Sequence, residues 1–243
     1  MFYSLLFVFA ILPSLIWLLY YLKKDVHPEP KRLILYVFFA GAFAAIVGYF
    51  FQAGASGFIN VFIENLPHLL FLGLLFQKFI IIAFSEEFLK YLAFFFTMRG
   101  HQDLDEPVDF IIYMITAAMG FAAAENLILF SSLGLNITFG EVLQISLLRF
   151  MSATFLHALA SGILGVFIVY ACRFSKRSLL FYGLITVTFL HGIYNILVTR
   201  VEDISSVFLL ALFLILLSSV LSRGIKKVKK MRSVCVLRDI YKN

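Results

Sequence analysis

The sequence predicts an all-α polytopic membrane bundle, and three observations carry that prediction. Hydrophobic residues make up 62% of the chain and charged residues 14%, with a mean hydropathy of +0.98, whereas soluble domains sit near half apolar and about a quarter charged. Several apolar runs are each about as long as the roughly 20 residues a bilayer span requires. Basic residues fall between those runs in alternate loops. With no water at that depth, such runs must be helices whose backbone groups pair internally. The short alternating segments of a membrane barrel are absent.

In chain order the predicted spans are residues 2–22, 33–53, 69–98, 109–131, 146–172, 179–199 and 204–222. The first reads as a span and not as a cleaved signal peptide, because Lys23 and Lys24 follow it and no basic region precedes it. One set of loops holds Lys23, Lys24, Lys31 and Arg32, then Arg99, then Arg173, Lys176 and Arg177, then the basic tail. The opposite loops hold only Arg200, with Arg149 just inside a span. The positive-inside rule then predicts seven spans with the N-terminus outside and the C-terminus cytoplasmic.

Two places strain this arrangement. Residues Phe58 to Leu66 are moderately apolar and precede Pro67, as an interfacial or re-entrant helix would. The third run, His68 to Met98, would be about 45 Å long and must tilt, kink or start outside the hydrocarbon. The count rises to eight if residues 54–98 hold an extra segment. Residues 1–222 are expected to form one transmembrane domain and 223–243 a basic cytoplasmic tail, whose stretch Arg223–Lys230 suits anionic lipid. The net charge of +6 therefore reports topology and lipid rather than nucleic acid. Cys172 and Cys235 lie past helix ends on the same, cytoplasmic side, so no disulfide is expected.

An ionisable group at the bilayer centre costs about 2.5–3.5 kcal/mol by insertion scales. The third span nevertheless carries Lys78, Glu86, Glu87 and Lys90; the fourth, Glu125 and Asn126; the fifth, His157; the sixth, His191 and Asn195. Spans one, two and seven contribute almost none. Counted from the ends of their helices, these residues fall within one layer near mid-membrane, with Glu125 and Asn195 displaced outward. Taken singly, several have bland readings: Asn126 as interhelical glue, Glu86–Lys90 as an i,i+4 pair, Lys78 snorkelling outward. Three carboxylates and two imidazoles on four adjacent helices are harder to explain as structure alone.

Such a cluster suits acid–base chemistry, because burial raises a carboxylate's pKa and a nearby cation lowers it. An ionised glutamate can activate water, while a His–Asn pair donates to a developing oxyanion. No serine sits in a nucleophile-elbow context. Glu86, His157 and His191 also form a His₂Glu set of the kind that holds catalytic zinc, although H-E-x-x-H is absent; the leading expectation is a site without a cofactor.

At these residues the chain resembles the PrsW family of membrane proteases, within the wider group of CAAX prenyl endopeptidases. The match rests on Glu86-Glu87-x-x-Lys90, Phe121-x-x-x-Glu125-Asn126, His157 with Gly165, and His191-x-x-Tyr194-Asn195. The loop Asp25-x-x-Pro28-Glu29-Pro30 and Glu106-Pro107-x-Asp109 extend it. The resemblance implies a multi-pass cell-membrane protease acting on membrane-anchored proteins such as anti-sigma factors. It implies Glu86 as the water-activating base, His191 and Asn195 as the oxyanion pair, and Glu87 and Lys90 as support. Relatives place a histidine where this chain has Glu125, so either Glu125 or His157 completes the water-activating pair. Two other classes compete: a non-catalytic scaffold using the cluster for assembly, and a proton-coupled transporter, which lacks support from inverted repeats.

Overall fold

The computed structural model describes residues 2–25, 27–133, 137–201 and 204–231. Among these the chain is helical throughout, with no strand: α1 (Phe2–Leu22), α2 (Lys31–Asn65), α3 (Leu70–Phe76), α4 (Ser85–Met98), α5 (Asp109–Ser132), α6 (Phe139–Met151), α7 (Ala153–Phe174), α8 (Arg177–Val198) and α9 (Ile204–Val228). A 3₁₀ turn, Pro67–Leu69, precedes α3, and a π-helical stretch, Gln77–Phe84, joins α3 to α4.

The core is α5. Its residues from Asp109 to Ala124 are all buried, so it is apolar on every side, as a central helix must be. It packs against α1, α2, α4 and α7. Small residues bring α2 and α5 together without side chains between them. A Cβ on Gly120 would meet the Phe38 carbonyl at 1.8 Å, and one on Gly41 would meet the Ala117 carbonyl at 1.9 Å. Such contact replaces the hydrophobic effect, which lipid does not supply between helices. Large apolar side chains such as Phe39, Phe43 and Phe50 face outward instead, with exposures of 65%, 67% and 69%. The bundle is a multi-pass membrane protein. Among the described residues, five helical runs are long and apolar enough to cross a bilayer: α2, α5, α6 with α7, α8 and α9.

The structure departs from the sequence reading in three places. Helix α2 runs on to Asn65, absorbing residues 54–65 that read as a loop with a separate interfacial helix; no proline interrupts the run before Pro67. The long third run is one rod whose register is shifted by the π stretch. There the Ser85 hydroxyl donates to the Ile81 carbonyl and lies 3.0 Å from that of Ile82, taking the place of α-helical partners. The fifth run breaks at Ser152 (φ −123°, ψ −83°), and α6 begins early because Thr138 and Glu141 form a capping box. Cys172 is disulfide-bonded, contrary to expectation; the side of the membrane says nothing about whether two sulfurs are brought within bonding distance. Cys235 lies outside the described residues.

Candidate active site

The π stretch delivers Glu86 and Glu87 to the first turn of α4, with Lys90 one turn on, and all three are buried. Spacing alone suggests Glu86 as the partner of Lys90. The ammonium pairs with both carboxylates, 3.8 Å from Glu86 Oε2 and closer, 2.7 Å, to Glu87 Oε1. It also lies 2.6 Å from His157 Nδ1 on α7, and 4.9 Å over the Phe121 ring. An ammonium has only donors, so Nδ1 accepts and the ring hydrogen sits on Nε2. That nitrogen is 2.8 Å from Glu125 Oε2 on α5. Glu125 Oε1 in turn accepts from Arg149 at the end of α6, at 2.8 Å. The arrangement is a continuous chain of paired groups, two ion pairs joined through a neutral imidazole: Glu87, Lys90, His157, Glu125, Arg149.

His191 on α8 closes the other side. Its Nδ1 is 2.7 Å from Glu87 Oε1, and a carboxylate only accepts, so Nδ1 carries hydrogen. Its Nε2 then faces Glu86 Oε2 across 3.7 Å. That oxygen is buried and has no hydrogen-bond partner, while Oε1 accepts from Gln52 at 3.2 Å. Two acceptors face each other there unless a proton or cation lies between them. With neutral imidazoles, three carboxylates meet only two cations, Lys90 and Arg149, which leaves one negative charge.

The remaining candidates are held elsewhere. Asn126 is buried and joins three helices: its amide donates to the Ala10 carbonyl at 3.0 Å, and its oxygen accepts from Arg149 Nε. The Asn195 amide donates to the Lys78 carbonyl at 3.3 Å, and the Lys78 ammonium donates to the Asn195 carbonyl at 2.9 Å. This clasp pins α8 to the π stretch, and the Lys78 ammonium also donates to the exposed Thr199 hydroxyl at 3.2 Å. Ser85 spends its hydroxyl hydrogen on backbone carbonyls and accepts from Gln52 at 3.3 Å. Gln52 and Arg149 are the site residues that sequence reasoning passed over; each was legible as a lone polar group near the end of an apolar run. Gln52 also shows that the second span does contribute.

A second polar group lies at the loops flanking α2 and α5, away from this cluster. His27 Nδ1 pairs with Glu106 Oε1 at 2.5 Å, and the Tyr113 hydroxyl donates to Glu29 Oε2 at 2.5 Å. Burial holds the Glu29 carboxyl above its ordinary range, although the Tyr113 bond pulls the other way.

Glu86, His157 and His191 each offer a ligand atom, all within 4.8 Å of one another. The unpartnered Glu86 oxygen, the surplus negative charge and the His₂Glu donor set fit a zinc-like ion. Coordination by His157 would replace its contact with Lys90 or Glu125.

Residues 29–221 match the sequence family described as "PrsW family intramembrane metalloprotease". Protease PrsW of Oceanobacillus iheyensis is 31% identical over 192 residues, covering 76% of this chain and 79% of the relative. Protease PrsW of Bacillus subtilis is 28% identical over 223 residues, covering 90% and 91%. That of Geobacillus kaustophilus is 26% identical over 215 residues, covering 86% and 85%. No solved structure matches the chain. A family match spanning the whole polar cluster, on a bundle whose buried charges converge, makes this chain a multi-pass membrane protein of the PrsW family of intramembrane proteases.

Proposed function

We propose that the chain hydrolyses peptide bonds of membrane-anchored proteins with water activated by Glu86. One observation carries the assignment: Glu86 Oε2 is buried, without a hydrogen-bond partner, and 3.7 Å from His191 Nε2. A separation beyond hydrogen-bond length between two acceptors suits a bridging water that donates to both. Glu125 is committed to His157 and Arg149, and Glu87 binds Lys90 and His191 through Oε1, its own Oε2 being buried without a hydrogen-bond partner. Glu86 then takes the water's proton as the oxygen attacks the scissile carbonyl. Glu86 passes that proton to His191 Nε2, 3.7 Å away, and the resulting Nε2–H donates to the developing oxyanion. In this reading Glu125 orients His157, and Asn195 positions α8 rather than touching substrate.

An apolar groove of about 680 Å³ between α2 and the π stretch supports entry of substrate from the bilayer. It is walled by Val47, Phe51, Ile80 and Phe84 and ends at Ser85, whose partner Gln52 also bonds Glu86. By family resemblance the substrates are proteins of the anti-sigma-factor type.

A zinc-dependent reading is favoured by the His₂Glu set. There Glu86, His157 and His191 would hold the ion, which would polarise the carbonyl and lower the pKa of bound water. The deciding experiment uses purified protein and a single-span substrate. Glu86→Gln should lower turnover by about 10²–10⁴-fold, the range for a lost general base. Undiminished cleavage would overturn the role of Glu86; complete inhibition by a chelator, reversed by zinc, would select the metal reading.

A further inference from the structure

Helices α1 and α9 hardly touch, and a cavity of about 730 Å³ lies between them. Its two ends differ in chemistry. At one end stand Lys24, just past α1, with Lys226 and Lys229 at the end of α9. The Lys229 ammonium donates to the Lys24 carbonyl, bringing the two helix ends together, and the Lys24 ammonium lies 4.6 Å over the Tyr20 ring. No carboxylate pairs with any of the three lysines among the described residues. Ser222 also lines the cavity.

The floor is aromatic. Trp17 stacks with Phe150 and with Phe155, with ring centroids 5.2 and 4.2 Å away. Its indole N–H is already used, donating to the Phe150 carbonyl at 2.9 Å, so what the cleft presents is ring surface. Ile16 and Tyr20, 44% and 46% exposed, open that surface sideways to lipid.

We propose that this cleft is a binding site for one anionic phospholipid, its phosphate among Lys24, Lys226 and Lys229 and an acyl chain along Ile16 and Trp17. A soluble phosphate would use the lysines and have no use for the aromatic floor. A zwitterionic lipid would fill the floor and leave three cations without a counter-charge. This differs from diffuse attraction of a basic tail to a charged surface, because one discrete cleft supplies both halves of the ligand. It does not depend on the catalytic reading.

Trp17 is the chain's single tryptophan, so its fluorescence reports the cleft directly. The full-length protein would be placed in phosphatidylcholine vesicles containing a minor fraction of phosphatidylglycerol with brominated chains, and compared with brominated phosphatidylcholine at the same fraction. Bromine quenches on contact. Quenching should saturate at low content of the anionic lipid, with a preference of about fivefold per lysine and about a hundredfold in all. The K24Q/K226Q/K229Q variant should lose that preference, and K226Q alone should lose about a fivefold share of it. Equal quenching by the two lipids, or an undiminished preference in the triple variant, would overturn the proposal.

Discussion

The Lys90 ammonium lies 2.6 Å from His157 Nδ1, and that contact organises the site. It fixes the histidine's tautomer, directs Nε2–H to Glu125, and keeps the imidazole neutral beside a fixed positive charge. Because Lys90 also holds Glu87 at 2.7 Å, one buried cation joins the helix bearing Glu86 to the helix bearing His157.

Removing that cation should therefore destabilise the fold as well as the chemistry. Lys90→Met leaves Glu87 buried with an uncompensated charge, which costs about 3–5 kcal/mol. The double variant Glu87→Gln/Lys90→Met should recover most of that loss in thermal unfolding while remaining inactive. A double variant no more stable than the single one would show that Lys90 acts through something other than Glu87.

Arg149 is expected to be irreplaceable by lysine. Its guanidinium serves Glu125 through one nitrogen and Asn126 through another, a fork that a single ammonium does not reproduce. Arg149→Lys should lower kcat by about tenfold to a hundredfold through misplacement of His157. The loss should fall on kcat rather than KM, measured on a single-span substrate; wild-type kcat in the lysine variant would refute it.

The packing of α2 on α5 gives a contrast between glycines. Gly120→Ala drives a methyl group into the Phe38 carbonyl, and the backbones must separate. That should cost about 1–3 kcal/mol or more. Gly54→Ala meets nothing within 4 Å and should raise stability by about 0.5–1 kcal/mol, because alanine suits a helix better. Detergent-melting temperatures of the two variants, moving in opposite directions, are the measurement.

Glu29 predicts a pH dependence of stability. Its carboxyl is raised by burial first, with Asp25 and Asp105 adding to the rise and the bonds from Tyr113 and Asp109 opposing it. A raised carboxyl favours the protonated form in the fold. Its contribution is complete below the ordinary glutamate range and is lost as pH rises through the folded value. Glu29→Gln, which stays neutral, should flatten the fall in melting temperature as pH rises from the ordinary glutamate range. Parallel curves for the two proteins would rule this out.

Much of this site was legible in the residues themselves. Apolar run length announced helices, and counting from their ends put Glu86, His157 and His191 at one depth, where they do meet. Spacing revealed only part of who pairs with whom. Glu86 and Lys90, four apart, do pair at 3.8 Å, but Lys90 lies closer to Glu87, three apart, at 2.7 Å, and to His157 on α7 at 2.6 Å. His191 and Asn195 share a helical face, yet Asn195 turns to the Lys78 carbonyl on the π stretch. Glu125 and His157, the two candidates to complete the water-activating pair, lie 2.8 Å apart.

The sequence by itself determined the class of fold and the layer in which the charges lie, since both follow from what a helix may expose to lipid and from its rise per residue. Only the tertiary structure decided the pairings. Periodicity along one helix does not specify how far its neighbours are rotated, and in this bundle that rotation is set by backbone contacts such as Gly41 on Ala117 and Gly120 on Phe38. Arg149, on the helix that ends just before Ser152, reaches Glu125 across helices, a contact that sequence spacing does not encode.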